Sequence, residues 1–203
     1  MMKNTLIQRR HFLLLAGAGA LAACADKGGA APTFAPIRFK SMSAFRLNVE
    51  KIEIENRYQS PGRLPHVDHA MQNSPSAVMS AWAQDRLEAG GQPGGPIARF
   101  IITDAKVIET ELATKSGIKG VFSTDQAFKY DARIAIELSV RNERGMTDAT
   151  VNVESLAMRT IKEDATDVER ETLWNDMIQG MARDINAQME KNIPQGLGKY
   201  LQF

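Results

Sequence analysis

Cysteine, histidine and excess charge are all scarce in this chain of 203 residues. A single cysteine excludes an intrachain disulfide framework and a thiolate-rich zinc site. Three histidines offer few metal ligands, and no motif indicates a cofactor. We therefore expect neither a bound metal nor a cofactor. The formal net charge of +1 does not support a nucleic-acid-binding protein, which would carry a clustered basic surplus. Hydrophobic residues make up 43% of the chain, which is enough for a folded domain.

The first 23 residues have the composition of an export signal. Lys3, Arg9 and Arg10 form a basic start, and the apolar run 12–23 follows without an acidic residue. As a helix, this run would rise about 18 Å, which is short of the roughly 30 Å hydrocarbon core of a bilayer. A cleaved signal peptide over residues 1–23 is therefore favoured over a transmembrane anchor.

The apolar run ends in the tetrapeptide Leu21-Ala22-Ala23-Cys24. It resembles the lipobox of bacterial lipoprotein precursors. The resemblance implies cleavage after Ala23, diacylglycerol on the sulfur of Cys24 and acylation of the new amino terminus. Several acyl chains anchor a protein stably because each buried CH₂ contributes about 0.8 kcal/mol. An ordinary secretory signal with an incidental cysteine at its end is the alternative.

Two neighbouring features bear on export and sorting. The pair Arg9-Arg10, followed by one unassigned residue and two apolar residues, resembles the twin-arginine export pattern. A general secretory signal that contains adjacent arginines is the alternative. Ala25 follows the cysteine, where inner-membrane lipoproteins of enterobacteria commonly carry aspartate. The resemblance therefore implies the periplasmic face of the outer membrane, with the inner membrane as the alternative.

The part of the chain after the signal divides into a tether and one domain. Residues 24–36 are rich in alanine, glycine and proline, which predicts a lipidated flexible tether. Residues 37–203 are predicted to form a single domain. Within it, 45–58 alternates apolar and polar residues but slips by one position, which predicts a bulge or two short strands. Residues 59–73 contain two prolines and scattered polar residues, and predict a loop.

Two helices and three further strands follow. Ser74-Pro75 predicts the start of the first helix, and Gly90-Gly91 its end. A capping box over 166–169 predicts the start of the second helix, which has an apolar stripe and should end at Pro194 and Gly196. Strands are predicted over 97–112, 128–141 and 149–161, with a hairpin turn at 142–145.

The element order β-α-β-β-β-α predicts an α+β fold. The strand at 128–141 has one apolar and one polar face, which favours an antiparallel sheet that is wet on one side. Each helix has an apolar stripe that it must bury against another element. We therefore expect a two-layer sandwich of about four mainly antiparallel strands with both helices on one face.

Residues that could perform chemistry are few and scattered. His66, Asp68 and His69 form a cluster of potential metal ligands, but zinc takes three or four protein ligands and no further histidine or cysteine is at hand. Solvated or capping side chains in the loop are predicted instead. Asp125 and Asp131 flank an apolar face without a visible partner base. An uncharacterised hydrolase stays open because catalytic residues need not be adjacent in sequence.

Two apolar features each have two interpretations. The helical spacing of Trp82 and Trp174 predicts core packing, and a groove for an apolar ligand between helices and sheet is the alternative. Ile118, Val121 and Phe122 lie between two predicted strands. They either fold back under the sheet or contact a partner or a membrane, because loops usually avoid large apolar side chains.

The lipobox, the tether and the helix-on-sheet order together resemble several envelope lipoproteins. These include the lipopolysaccharide-assembly lipoprotein that plugs an outer-membrane barrel and the auxiliary lipoproteins of lipid-transport ATP-binding-cassette systems. The likeness of the domain is one of element order alone. It implies a non-enzymatic accessory or scaffold subunit with an envelope protein partner, held on the membrane by the lipid of Cys24. A periplasmic binding module for a lipid or other apolar ligand is the alternative.

Overall fold

The computed structural model describes residues 32–112 and 126–202. Two α-helices, two single-turn 3-10 helices (Asp68–Ala70 and Gly198–Tyr200) and six strands lie in these ranges. In chain order the strands and α-helices are β1 (Phe45–Leu47), β2 (Lys51–Asn56), α1 (Pro75–Arg86), β3 (Leu87–Ala89), β4 (Ile97–Glu111), β5 (Gln126–Arg141), β6 (Thr147–Lys162) and α2 (Asp167–Gly196).

The main sheet has four strands in the order β2-β4-β5-β6. Strand β2 is parallel to β4, and β4, β5 and β6 are antiparallel to their neighbours. Trp82 of α1 stacks on Phe100 of β4, and Trp174 of α2 meets Tyr130 of β5 edge to face. Both aromatic contacts lie on the buried face of the sheet, so the two helices cover the same side. The predicted α+β sandwich of mainly antiparallel strands is confirmed.

The slip in alternation over 45–58 corresponds to two short strands in different sheets. Strand β1 pairs in parallel with β3, and β2 joins the main sheet. Between them the chain makes a tight step in which the N–H of Val49 donates to the carbonyl of Leu47 at 2.8 Å. Both side chains are fully buried. One of the two predicted interpretations is thereby confirmed.

Helix α1 is shorter than predicted. It ends at Arg86, and Leu87–Ala89 forms β3 instead of a last helical turn. Three residues carry no alternation of their own, so their strand conformation comes from pairing with β1. Ser74 is the N-cap, but its hydroxyl accepts no capping hydrogen bond, and Pro75 occupies the first turn as predicted.

Helix α2 begins at the predicted capping box. The N–H of Glu169 donates to the hydroxyl of Thr166 at 3.2 Å, and the N–H of Thr166 donates to the Glu169 carboxylate at 2.7 Å. The apolar stripe is buried against the sheet. The helix continues through Pro194 and ends at Gly196, so the proline lies inside the last turn rather than after it.

Strands β5 and β6 form a long hairpin. The predicted turn at 142–145 is confirmed: the N–H of Gly145 donates to the carbonyl of Asn142 at 2.8 Å. Gly145 has a φ of 77°, in the left-handed region that glycine adopts without strain. The turn directs β6 back along β5 as the outer strand of the sheet.

Candidate functional site

The face of the sheet that the helices leave open is ionic on the β2 side. Arg99 of β4 donates to Glu55 and lies 3.5 Å from a carboxylate oxygen of Glu53. Lys51 is paired with Glu53 at 2.8 Å. The hydrogen bond from Lys51 is the main cause that lowers the pKa of Glu53 below its ordinary 4.5. This part of the face therefore presents paired charges to water.

The centre of the open face continues this ionic pattern. Arg133 of β5 bridges Asp104 of β4 at 3.2 Å and Glu154 of β6 at 2.8 Å. Lys106 also pairs with Asp104, at 3.1 Å. Charges of both signs alternate across three strands, so the surface has little net attraction for a charged ligand.

The β6 side of the same face is apolar. Leu156 and Met158 of β6 are 68% and 58% exposed, which is unusual for two large apolar side chains on one strand. With Ile108 of β4 they line a depression of about 450 Å³, and the charged side chains of Lys106 and Arg133 also line it. We call Leu156 and Met158 the apolar pair. Its exposure makes β6 the candidate contact strand.

The main chain of β6 is also available for contact along its outer edge. The side chain of Gln188 donates to the carbonyl of Glu154 at 2.8 Å, and that of Arg159 donates to the carbonyl of Met158 at 2.8 Å. Because peptide groups alternate in direction along a strand, the main-chain N–H and C=O groups of the even-numbered residues of β6 point away from β5. No hydrogen bond among the described residues takes the outward N–H of Leu156 or Met158.

A second depression lies between the outer edge of β6 and helix α2. It measures about 390 Å³, and Ser155 and Ala157 line it from the strand. Gly180 and Asp184 line it from the helix. A Cβ atom added to Gly180 would have no heavy atom within 4 Å. The helix therefore leaves the outer edge of β6 open beside Gly180, although its Gln188 covers the carbonyl of Glu154.

The predicted loop cluster around His66 is partly buried. The hydroxyl of Tyr58 donates to Asp68 at 3.0 Å and lies 3.3 Å from Nδ1 of His66. Asp68 is 4% exposed, so the prediction that these side chains are solvated or capping is wrong for Asp68, whereas His69 is exposed. The pairing of His66 with Ile108 attaches the segment to β4 and buries the carboxylate.

This cluster has a structural role. Burial and the adjacent Asp68 carboxylate raise the pKa of the Tyr58 hydroxyl, so the phenol stays protonated and donates to Asp68. Among residues 32–112 and 126–202, no group of three or more histidine, cysteine, aspartate or glutamate side chains is placed to hold a metal ion.

Asp131 of β5 pairs with Lys129 at 2.8 Å on the open face.

Both predicted tryptophans are core residues. Trp82 is fully buried, and its Nε1 donates to Asn186 of α2 at 2.9 Å. Asn186 in turn donates to Glu190 at 3.2 Å, and Glu190 accepts from the buried Arg86 at 2.8 Å. This relay joins α1 to α2. The depressions on the open face and beside α2 are lined by other residues, and the apolar-ligand role of Trp82 and Trp174 stays a prediction.

The remaining predicted site residues cannot be placed. Outside the described residues lie Arg9, Arg10, Ala23, Cys24, Ile118, Val121, Phe122 and Asp125. The contact strand, by contrast, was missed by sequence reasoning. Its signal is the pair of apolar residues, Leu156 and Met158, at positions where the alternation of β6 calls for polar side chains.

Comparisons with known proteins add little. No family model matches the sequence, and comparison with curated proteins gave no match. A minor lipoprotein from Acinetobacter baumannii overlaps 72% of this chain and 94% of its own, with 11% identity and a TM-score of 0.35. Lipoprotein B from Nitrosomonas europaea overlaps 72% and 90%, with 16% identity and a TM-score of 0.37.

A rare lipoprotein B from Shewanella oneidensis gives a similar result. It overlaps 70% of this chain and 96% of its own, with 13% identity and a TM-score of 0.32. These structural neighbours are bacterial lipoproteins, but sequence identities and TM-scores this low support no inference about function. In the described ranges, no helix combines the length and hydropathy that crossing a bilayer requires.

Proposed function

We propose that this protein is a lipid-anchored accessory subunit of an envelope assembly or lipid-transport machine, on the periplasmic face of the outer membrane. It has no enzymatic activity in this proposal. The sequence basis is the sole cysteine, Cys24, which directly follows three lipobox-like residues. The structural basis is the place where the chain enters the folded body.

The chain enters the body beside the start of α1 and the amino-terminal third of α2. Gln72 donates to the carbonyl of Pro32 at 2.6 Å. The neighbouring Asn73 donates to Asn175 of α2 at 2.9 Å. Asn175 is the ninth residue of a helix of 30 residues, so this contact lies in the amino-terminal third of α2. The attachment point of the tether is therefore at that end of the molecule.

The connection between β4 and β5 leaves the sheet at the same end. Strand β6 finishes at Lys162 just before α2 starts, and Lys162 pairs with Gln126, the first residue of β5. The last residue before the connection, Leu112, donates its N–H to the carbonyl of Ala127 at 2.7 Å. The tether and both ends of the connection thus share one end of the body.

The location of the tether and the connection at one end of the body is the observation that supports the proposal. A lipid on Cys24 would bring that end toward the membrane, and with it the connection that contains Ile118, Val121 and Phe122. The partner contact of this connection is therefore proposed to be with a protein in the same membrane. Large apolar side chains in a connection favour such a contact over exposure to water.

The anchor is tested by Cys24→Ala in the full-length chain. We expect the intact mass of the wild-type protein to show cleavage after Ala23 and acyl chains on Cys24. The variant should lose both and leave the membrane fraction. Separation of inner and outer membranes on a density gradient then tests the sorting proposal. An unmodified thiol on the processed wild-type chain would overturn the proposal.

The partner is tested by crosslinking in cells followed by affinity purification. The wild-type chain should return one dominant envelope complex, and Phe122→Asp should lose most of it. Leu64→Asp is the matched control, because Leu64 is also a large apolar side chain and is 69% exposed. Equal recovery with Phe122→Asp and with the control would remove the connection from the proposal. Recovery of a bound lipid without a protein would favour the binding-module alternative.

A further inference from the structure

We propose that β6 is a dimerisation strand: it pairs antiparallel with β6 of a second copy of this chain, about a two-fold axis at Ala157. The pairing would join two four-stranded sheets into one of eight strands. The inference rests on the described body alone and does not depend on the lipid anchor or on an envelope partner.

The hydrogen-bonding groups for this pairing already point outward. With the axis at Ala157, the even-numbered residues 152 to 162 of one subunit lie opposite those of the other. Four of the six residue pairs would exchange two main-chain bonds each. The two pairs that contain Lys162 would make one bond each, because the Lys162 carbonyl already accepts from the N–H of Ala165 at 3.3 Å. The total of about ten matches the roughly ten hydrogen bonds of a standard interface. The exposed side chains of Gln188 and Arg159, which occupy two outward carbonyls, would turn aside.

The apolar pair selects this register. With the axis at Ala157, Leu156 lies opposite Met158 of the partner subunit, and the arrangement occurs twice by symmetry. The four side chains then form one apolar cluster on the open face. An axis at Met158 would place Leu156 opposite a threonine, and an axis at Leu156 would place Met158 opposite a carboxylate. A shift of the register by one residue would place main-chain groups that point toward β5 at the interface between the two subunits.

Charges are complementary in the same register. Glu154 lies diagonally across from Lys162 of the partner subunit, at a separation that long side chains span across a strand pair. Ser155 lies opposite Arg159 of the partner subunit. Asp184 of α2 lines the depression beside Ser155, so it offers a carboxylate to that guanidinium. Each of these contacts also occurs twice.

The depression beside α2 supplies room for the second strand. Side chains of odd-numbered residues of β6 point toward the helix layer, and Ala157, at the axis, is the smallest of those near it. Gly180 lines the same depression and adds no side chain to it. Two copies can therefore approach to strand-pairing distance without a clash between Ala157 and α2 of either subunit.

A disulfide at the axis tests the proposal. Two residues that face each other at a non-hydrogen-bonded position of an antiparallel pair have Cα atoms about 4.5 Å apart, within disulfide range. We expect Ala157→Cys in the full-length chain, oxidised in intact cells, to give a band of twice the subunit mass on a non-reducing gel. Reduction should return the single-subunit band.

Two controls make this result specific. The wild-type chain has Cys24 as its only cysteine and reports any disulfide formed there. Asn152→Cys places a cysteine on the same strand, about 34 Å from its symmetry mate in the proposed register. The proposal is overturned if Ala157→Cys gives no dimer band, or if its crosslinked band has a mass other than twice that of the subunit. It is also overturned if Asn152→Cys gives a dimer band of equal strength.

Gly180→Leu provides a second test that does not depend on oxidation. A Cβ atom at Gly180 meets no neighbour, and leucine favours a helix more than glycine does, so the single subunit of the variant should be at least as stable as that of wild type. The same side chain would fill the depression that the second strand needs. We expect light scattering of the purified full-length protein in detergent to give a dimer for wild type and a single subunit for the variant. A wild-type mass of one subunit, or an unchanged dimer in Gly180→Leu, would overturn the proposal.

Discussion

The two outer strands of the main sheet are protected to very different extents. Strand β2 has six residues, and three of them, Lys51, Glu53 and Glu55, are charged. Beyond β2, residues 65–67 continue along the edge of β4, where the N–H of Val67 donates to the carbonyl of Val107 at 3.0 Å. Strand β6 has 16 residues and exposes the apolar pair along an edge with no such cover among the described residues.

Short length, charge and loop cover are the usual devices that prevent an edge strand from pairing with another chain. The β2 side uses all three of them, and β6 uses none of them at its centre. The same sheet is therefore closed to pairing on one side and open on the other. This difference is what locates the candidate contact strand.

The largest expected effect comes from proline at two adjacent positions of β6. Ala157 directs its N–H to β5, so Ala157→Pro removes a ladder hydrogen bond and should lower the free energy of unfolding by about 1–3 kcal/mol. Met158→Pro removes an outward N–H and should leave the monomer nearly unchanged while it abolishes the dimer. Denaturant unfolding and light scattering measure the two effects. Equal destabilisation by both would contradict the assigned direction of β6.

The second prediction converts β6 into an edge like β2. Leu156→Lys together with Met158→Lys places like charges directly opposite each other across the proposed seam. We expect dimer dissociation to become at least about 100-fold easier, which corresponds to about 2.7 kcal/mol. Because both side chains are exposed in the single subunit, its stability should change by less than about 0.5 kcal/mol. Sedimentation equilibrium measures the dissociation constant, and an unchanged value would remove the apolar pair from the interface.

The third prediction converts β2 into an edge like β6. Valine at Lys51, Glu53 and Glu55 removes exposed ion pairs that each contribute about 0–1 kcal/mol. It also removes both carboxylate partners of the less exposed Arg99, so we expect a measurable loss of stability in a chain that still folds. The strand should then self-associate, and light scattering should show species larger than a dimer. Threonine at the same three positions is the matched control. If the valine variant stays the same size as wild type, charge is not what protects β2.

The smallest effect concerns pH. Hydrogen bonds from Lys51 and Arg57 lower the pKa values of Glu53 and Glu55 below the ordinary 4.5. Both carboxylates thus stabilise the fold above pH 4.5, and this contribution is lost as the pH falls through their folded-state pKa values. We expect a modest decline in the free energy of unfolding in that range. The double variant Glu53→Gln/Glu55→Gln should decline less, and an identical pH profile would contradict the prediction.

Local sequence patterns predicted the parts of the fold that depend on neighbouring residues. The alternation of β5, the turn at 142–145 and the capping box at Thr166 each depend on residues within a few positions, and all three are confirmed. Strand β3 was missed because its conformation comes from pairing with β1, about 40 residues earlier in the chain. Burial of Asp68 was missed for the same reason, since its partner Tyr58 and the edge of β4 lie elsewhere in sequence.

The candidate site was harder to predict than the fold. Leu156 and Met158 break the alternation of β6, but a sequence alone does not show whether such residues face a helix, a loop or water. That depends on which strand is outermost and on where α2 packs, and both are tertiary features. The sequence did indicate apolar contact residues, at Ile118, Val121 and Phe122, and these lie outside the described residues.

The hydrogen bond from Gln72 to Pro32 limits how far the body can reach from its proposed anchor. From Cys24 to Pro32 the chain takes eight steps, which span at most about 29 Å when fully extended. The part of the body around Gln72, beside the amino-terminal third of α2, must then stay within one bilayer thickness of the acyl chains. Any partner that binds this end is confined to a shallow zone above the lipid headgroups, whereas soluble proteins deeper in the periplasm are out of range.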